Sequence, residues 1–279
     1  LEQRFAMNIV FYRSYIKSLK TQMKPILTLI AVMLAGILFA QQKEEEPVKQ
    51  NSISITTGYN QVKDENLHAK VHSGLMIGTS FQHSEIGKII SEYGAGLKVS
   101  VMSTIYEDFP SSASVQILGN YKYLFTVSGN DKLTYYLGPA ADLHFGTNAF
   151  FNWDESHFYW GNYVSGGVGN RISYKVGNKT LDFNLDIPLV SAISRPENNR
   201  QYKIDRMTVG GIVKTLCSNL EGALPDKHFY LKSGIELKIP MHNKKMRSFG
   251  YNFKYHYMKA TEGMPYQNIE HLLVYKFIF

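Results

Sequence analysis

Several of the nine histidines stand two residues from another side chain that can ionise. In an extended chain that spacing puts both groups on one face. Asp142 precedes His144, Lys254 precedes His256, Lys70 lies between His68 and His72, and His228 opens a later segment. Tyr159, Tyr163 and Ser165 share the parity of one segment, and Asp186 belongs to the next. A histidine oriented by a carboxylate activates water or a serine hydroxyl, so Asp142, His144, Ser165 and Asp186 form a candidate hydrolytic set. On one strand Asp142 and His144 point in parallel, about 6–7 Å apart by the strand rise, and need a third group to form a hydrogen-bonded set. Tyr163 and Asp186 are the candidates for it. The competing reading, adopted here, is structural: ionisable groups enclosed in a narrow space pair with one another to satisfy their charges and hydrogen bonds.

Other motifs carry less. His83-Ser84-Glu85 has the composition of a catalytic triad, but three consecutive residues of an extended turn cannot converge. His68 and His72 would meet on a helix; on a strand they are about 13 Å apart, so the two alone make no metal site. Gly166-Gly167-Val168-Gly169 and Gly210-Gly211 precede no helix of a βαβ unit and are not nucleotide loops. No cofactor and no metal are expected.

The elements that would position these side chains follow a period of two. Leu181, Phe183, Leu185, Ile187 and Leu189 alternate with Asp182, Asn184 and Asp186, and Phe249, Tyr251, Phe253, Tyr255 and Tyr257 alternate with Ser248, Gly250, Asn252, Lys254 and His256. Ten strands are predicted, at 51–59, 68–82, 89–106, 113–127, 132–146, 157–176, 180–192, 228–240, 246–258 and 268–279. Several exceed ten residues, long for a soluble sheet and suited to a tilted membrane-spanning strand. Alternate connections are short and rich in turn residues: His83–Lys88, Ser128–Asp131, Gly177–Lys179 and Met241–Lys245. The others are longer on average, reaching Ser194–Lys227. Short turns at one end and long loops at the other are the asymmetry of an outer-membrane barrel.

The expected fold is therefore all-β, an antiparallel up-and-down transmembrane β-barrel of about ten strands over residues 51–279. Alternation alone also fits a soluble barrel with its apolar face inward. Three features favour the membrane. The strands end in aromatics, with 19 Tyr and 16 Phe against 2 Trp, and tyrosine suits a surface apolar on one side and wet at its ends. The polar face holds Gly94, Gly96, Gly138, Gly234 and Gly250, small residues that suit a narrow lumen. The chain also ends on a strand whose last residue is Phe279.

Upstream, Lys24 and the apolar run Ile26–Phe39, closed by Ala40, have the form of a cleaved secretory signal over residues 23–40. Residues 1–22 read as an extension ahead of a start at Met23, and 41–50 as a charged periplasmic tail. The net charge is +7, of which residues 1–40 hold +4, so +3 remains for the rest. That excess is too mild and too evenly spread for a nucleic-acid surface. A single cysteine, Cys217, excludes an intrachain disulfide.

The terminal Tyr275-Lys276-Phe277-Ile278-Phe279 resembles the C-terminal assembly signal of outer-membrane barrels. Leu38-Phe39-Ala40-Gln41-Gln42 and the stretch from Asp186-Ile187-Pro188-Leu189 to Ser194-Arg195-Pro196 are similar to uncharacterised outer-membrane β-barrel proteins of the Bacteroidota. The resemblance implies a Gram-negative outer membrane, contact with its lipid, and recognition by the barrel-assembly machinery through Tyr275, Phe277 and Phe279. It implies no catalytic residue. The expected function is non-enzymatic: loops that bind an envelope protein or extracellular ligand, or a barrel that supports the envelope. The alternative is a protease or lipid-directed esterase with a His/Asp site at the extracellular rim. A small solute channel comes third, because ten strands leave little lumen once side chains are placed.

Overall fold

The computed structural model describes residues 47–66, 68–105, 110–151, 158–196, 210, 219–243, 245–261 and 263–279. The upstream extension, the export signal and most of the charged tail lie outside the described residues, as does most of the long loop. Ten long strands make the barrel: β1 (Val48–Asp64), β2 (His68–Ile86), β3 (Ile89–Ser103), β4 (Ser112–Gly129), β5 (Leu133–Phe150), β7 (Asn162–Val176), β8 (Lys179–Ser194), β10 (His228–Pro240), β11 (Met246–Met258) and β12 (Tyr266–Ile278). Two short strands, β6 (Phe158–Trp160) and β9 (Leu220–Ala223), sit at the loop end. Successive long strands pair antiparallel. β12 returns to β1 from Ser52↔Ile278 to Asp64↔Tyr266, and β8 meets β10 from Lys232↔Asp186 to Lys238↔Thr180. The ring is thereby closed.

Burial alternates residue by residue, and its sense separates a membrane barrel from a soluble one. The exposed side chains are apolar: Ile55 is 63% exposed, Leu75 70% and Leu273 62%. The buried ones are polar: Ser54, Asn60, Gln116, His256 and Glu270 are nearly or wholly enclosed. A soluble barrel would invert both sets, since burying ions while leaving leucines in water costs on both counts. Phe249 and Tyr251 are exposed, while Lys254 and His256 are buried inside. Toward the turn end the outer surface carries Phe81, Tyr93, Tyr121, Phe249 and Tyr275, the aromatic girdle of a membrane barrel. The long strands have 13 to 19 residues. About 9–11 suffice to cross the hydrocarbon, so the longest have strand to spare beyond it.

The turns follow local chemistry. Val176 pairs with Lys179 across Gly177-Asn178, and Gly177 has φ of 59°, the glycine-first conformation of a type II′ hairpin. Asn130 Oδ1 accepts from the backbone N–H groups of Lys132 (2.9 Å) and Leu133 (2.8 Å), an Asx turn that starts β5.

Three expectations are corrected in detail. β1 starts at Val48, inside the expected tail, and continues to Asp64. The expected turn at His83–Lys88 shrinks to Gly87-Lys88, because β2 runs to Ile86. Its polar residues look like a turn but are paired: His83 Nδ1 with Asn51 Oδ1 at 2.8 Å, and Ser84 Oγ donating to Glu92 at 3.3 Å. The strand expected at 157–176 breaks at Gly161. There Asn162 Oδ1 accepts the Gly146 N–H at 3.0 Å, so a side chain replaces a ladder bond. The long loop contains β9, which pairs with Ser191–Ser194 of β8.

A bulge in β8 matters for the interior. Gly166↔Val190 is followed by Gly167↔Pro188, and Leu189 and Val190 both face outward. The extra residue reverses the parity, so Ser191, Ile193 and Arg195 point in. Gly167 is required opposite it, since a β-carbon there would overlap the Ile187 carbonyl oxygen.

The inside-out assignment has a direct test. Tyr251→Arg puts a charge on the lipid face near the middle of β11 and should cost about 2–4 kcal/mol in folding titrations into lipid vesicles. Asn252→Arg, directed at the lumen, should cost clearly less. Equal losses, or a larger loss at Asn252, would contradict the assignment.

Candidate functional site in the barrel lumen

The lumen-facing side chains stack in layers along the barrel axis. At the loop end Arg195, wholly buried, is the centre. Its Nη1 donates to the carbonyls of Met258 (2.9 Å) and Met264 (2.8 Å), and its Nη2 to Asp64 Oδ1 (2.7 Å). Its guanidinium lies 5.4 Å from the Tyr266 ring centroid. Asn66 ties the same layer to the chain on either side, donating to the Pro196 carbonyl (3.2 Å) and accepting from the Met264 N–H (2.6 Å). Beside it Trp160 Nε1 donates to Ser194 Oγ at 3.1 Å. Four strand ends and the start of the long loop are thus held to one cation.

The next layer is aromatic. Tyr163 stacks on His144 with ring centroids 4.9 Å apart and an interplanar angle of 4°. It also contacts His228 at 4.4 Å and His256 at 5.0 Å. Ser191 Oγ and His228 Nδ1 are 2.6 Å apart, and His228 Nε2 and His256 Nε2 are 3.1 Å apart. The β8 bulge is what turns Ser191 toward His228.

Below lies the layer that holds two of the anticipated residues. Asp142 hydrogen-bonds both Tyr230 and Lys232. Ser165 Oγ is 3.0 Å from Tyr230 Oη. Across from them Lys98 pairs with Glu270 at 2.6 Å. Deeper still, Lys122 pairs with Asp186 at 2.7 Å and Lys276 with Glu236 at 3.0 Å. Toward the turn end Arg171 pairs with Glu92 and Lys238 with Asp182, both at 2.7 Å.

The four expected site residues therefore occupy one lumen but do not form one site. Register explains the separation. Asp142 faces Ser165, and His144 faces Tyr163, across the β5–β7 ladder. Asp186 faces Gly169, further toward the turn end. Of the two third groups anticipated for Asp142 and His144, Tyr163 meets His144, but through its ring face. Asp186 goes to Lys122 instead. His144 Nδ1 is buried without a hydrogen-bond partner, so no carboxylate orients that nitrogen. Among the described residues no three His, Cys, Asp or Glu side chains could hold a metal ion together.

Tyr230, Ser191 and Arg195 were not singled out by sequence reasoning. Tyr230 had a visible signal, sharing the polar face of its strand with His228 and Lys232. Ser191 and Arg195 had none, because only the bulge brings them inward. At the other end, β12 shows Tyr275 (42% exposed) on the outer surface, and Phe279 just beyond it is 46% exposed.

No family model and no curated protein sequence matches this chain. Solved structures do. The outer membrane protease OmpT from Escherichia coli aligns with 86% of this chain and 99% of its own at 8% identity, with a TM-score of 0.50. The β domain of the Bordetella autotransporter BrkA aligns with 83% of this chain and 99% of its own at 8% identity, with a TM-score of 0.41. The chain has the closed antiparallel barrel fold of outer-membrane proteins.

Because Arg195 is wholly buried with Asp64 as its carboxylate partner, Arg195→Met should destabilise by about 3–5 kcal/mol, the cost of stranding a buried charge. Adding Asp64→Asn should recover part of that loss. Urea unfolding in lipid vesicles reads both effects. An Arg195→Met protein as stable as wild type would show that the loop-end layer does not depend on this pair.

Proposed function

We propose that this chain is an integral protein of a Gram-negative outer membrane, exported through its N-terminal signal and inserted by the barrel-assembly machinery through Tyr275, Phe277 and Phe279. Its barrel is a non-enzymatic scaffold that offers its loop end to an envelope protein or extracellular ligand. The observation that carries this reading is how the acid–base residues are used. Asp142 is engaged by Tyr230 and Lys232, while His144 is stacked on Tyr163 with its Nδ1 unsatisfied. A general base needs an orienting partner and reach to a substrate proton; these residues are instead consumed in packing the lumen. The same ion pairs obstruct a solute path and weigh against a channel.

One observation favours a hydrolytic reading. Ser191, His228 and His256 form a continuous chain in which a histidine nitrogen lies 2.6 Å from a serine oxygen, the arrangement that activates a serine nucleophile. The OmpT likeness adds a protease of the same fold. Against it, Ser191 and His228 are both buried.

Two measurements separate the readings. On the scaffold reading the purified barrel turns over no lipid, peptide or ester substrate. His144→Ala then lowers stability against heat in detergent by about 1–3 kcal/mol, because it empties one side of the Tyr163 stack and opens a cavity. Hydrolysis that His144→Ala abolishes, with heat resistance kept, would overturn it. Labelling of wild type but not Ser191→Ala by a fluorophosphonate would establish the serine reading instead, and no labelling would remove it.

A further inference from the structure

The middle of the lumen holds a partly open cavity of about 280 Å3 beneath Tyr163. Its walls carry charge of both signs, and most of it is matched. Lys98, Lys122 and Lys276 have carboxylate partners at 2.6, 2.7 and 3.0 Å. Lys232 is held by Asp142, and Arg171 by Glu92. These five pairs account for the five wall carboxylates among the described residues: Glu270, Asp186, Glu236, Asp142 and Glu92.

Lys254 is the remaining wall cation. Its side chain is 8% exposed, and its nearest ion-pair partner, Glu270 Oε1, is 4.0 Å from Nζ, beyond hydrogen-bond reach. Glu270 is already occupied: Oε2 holds Lys98, and Oε1 accepts from Asn268 Nδ2 at 3.2 Å. The Tyr163 ring, 5.7 Å away, gives the ammonium only a π face. A buried charge whose carboxylate neighbour is shared with Lys98 and beyond hydrogen-bond reach is only partly compensated, so such a group favours a further anion.

We propose that this cavity is a binding site for a small oxyanion, a carboxylate or a phosphate, whose charge is received by Lys254. The walls suit an oxyanion because hydroxyl and amide donors share them with the ammonium. Thr56, Ser80, Asn120 and Asn252 all line the cavity. The free space equals several water molecules, at about 30 Å3 each, enough for such an anion with part of its hydration.

The test uses the full barrel in detergent at neutral pH, with ionic strength held constant by sodium chloride while sodium acetate or sodium phosphate replaces part of it. The wild-type unfolding midpoint should rise and saturate with at least one of the two oxyanions. The acetate and phosphate series separate a carboxylate from a phosphate preference. Lys254→Met should weaken that response at least tenfold and, in chloride alone, unfold at the same temperature as wild type or higher, since it removes an unmatched buried charge. Lys49→Met, at the exposed Lys49–Glu85 pair (69% and 38% exposed), should respond as wild type. Should Lys254→Met fail to fold, 31P line broadening of inorganic phosphate by the wild-type barrel, reversed by acetate, decides the question. A wild-type midpoint indifferent to both oxyanions, a Lys254→Met response equal to wild type, or, where phosphate raises the midpoint, no phosphate broadening overturns the proposal.

Discussion

A strand in hydrocarbon must find a partner for every backbone N–H and C=O, because no water is there to replace one. The rest of this molecule depends on that constraint, and the β8–β10 seam is where it is met. Every other pair of long strands that follow one another in the chain is joined by a comparatively short connection. β8 and β10 are separated in the chain by the long loop, and only seven residue pairs join them directly, from Thr180↔Lys238 to Asp186↔Lys232. Above that seam β9 takes over the edge of β8. The bulge at Leu189 and Val190 lies at this handover, where two residues of β8 both face outward. Closure and the reversal of parity beyond it are thus linked in space, and the reversal supplies Ser191 and Arg195 to the interior.

Closure also dictates the chemistry of the lumen. Once the apolar faces point to the bilayer, the polar faces must share a narrow cylinder. Its occupants are satisfied across the barrel as well as along the ladders: Tyr230 on β10 reaches Asp142 on β5, Lys98 on β3 reaches Glu270 on β12, and Arg171 on β7 reaches Glu92 on β3. Such contacts brace the barrel from within. They also explain why residue types associated with catalysis are abundant here without converging. A histidine or an aspartate in this cylinder is first a partner for its neighbours. Losing one partner strands the other, which makes the interior a source of specificity for a single closed register as much as of stability.

The two ends of the lumen differ in kind. The loop end is sealed by one arginine, two backbone carbonyls and an aromatic layer around Tyr163, with Val62, Met102, Ile193, Met258 and Tyr266 packed among them. The middle is looser and charged, and it holds the cavity. Glycines permit the close approach of neighbouring strands. At Gly58, Gly74, Gly138 and Gly167 a β-carbon would collide with a carbonyl oxygen of the adjacent strand.

The sequence by itself determined the period of two, the ten long segments, the positions of the tight turns and the two sets of faces, because each is written in nearest-neighbour alternation and in turn chemistry. Phe249 to Tyr257 and Leu181 to Ile187 could be sorted into opposing faces with no knowledge of the fold. Alternation is symmetric under exchange of inside and outside, so the assignment of the polar face to the lumen rests on the strand-end aromatics and the glycines of that face, and the burial of the assembled barrel bears it out. The fate of the candidate site was illegible. Whether Asp142 meets His144, Tyr230 or Asp186 depends on register across β5, β7 and β8, on one bulge that flips Ser191 and Arg195, and on contacts through the lumen between residues about ninety positions apart. No local pattern encodes those distances. They exist only once the sheet has closed and forced opposite walls to within hydrogen-bond reach.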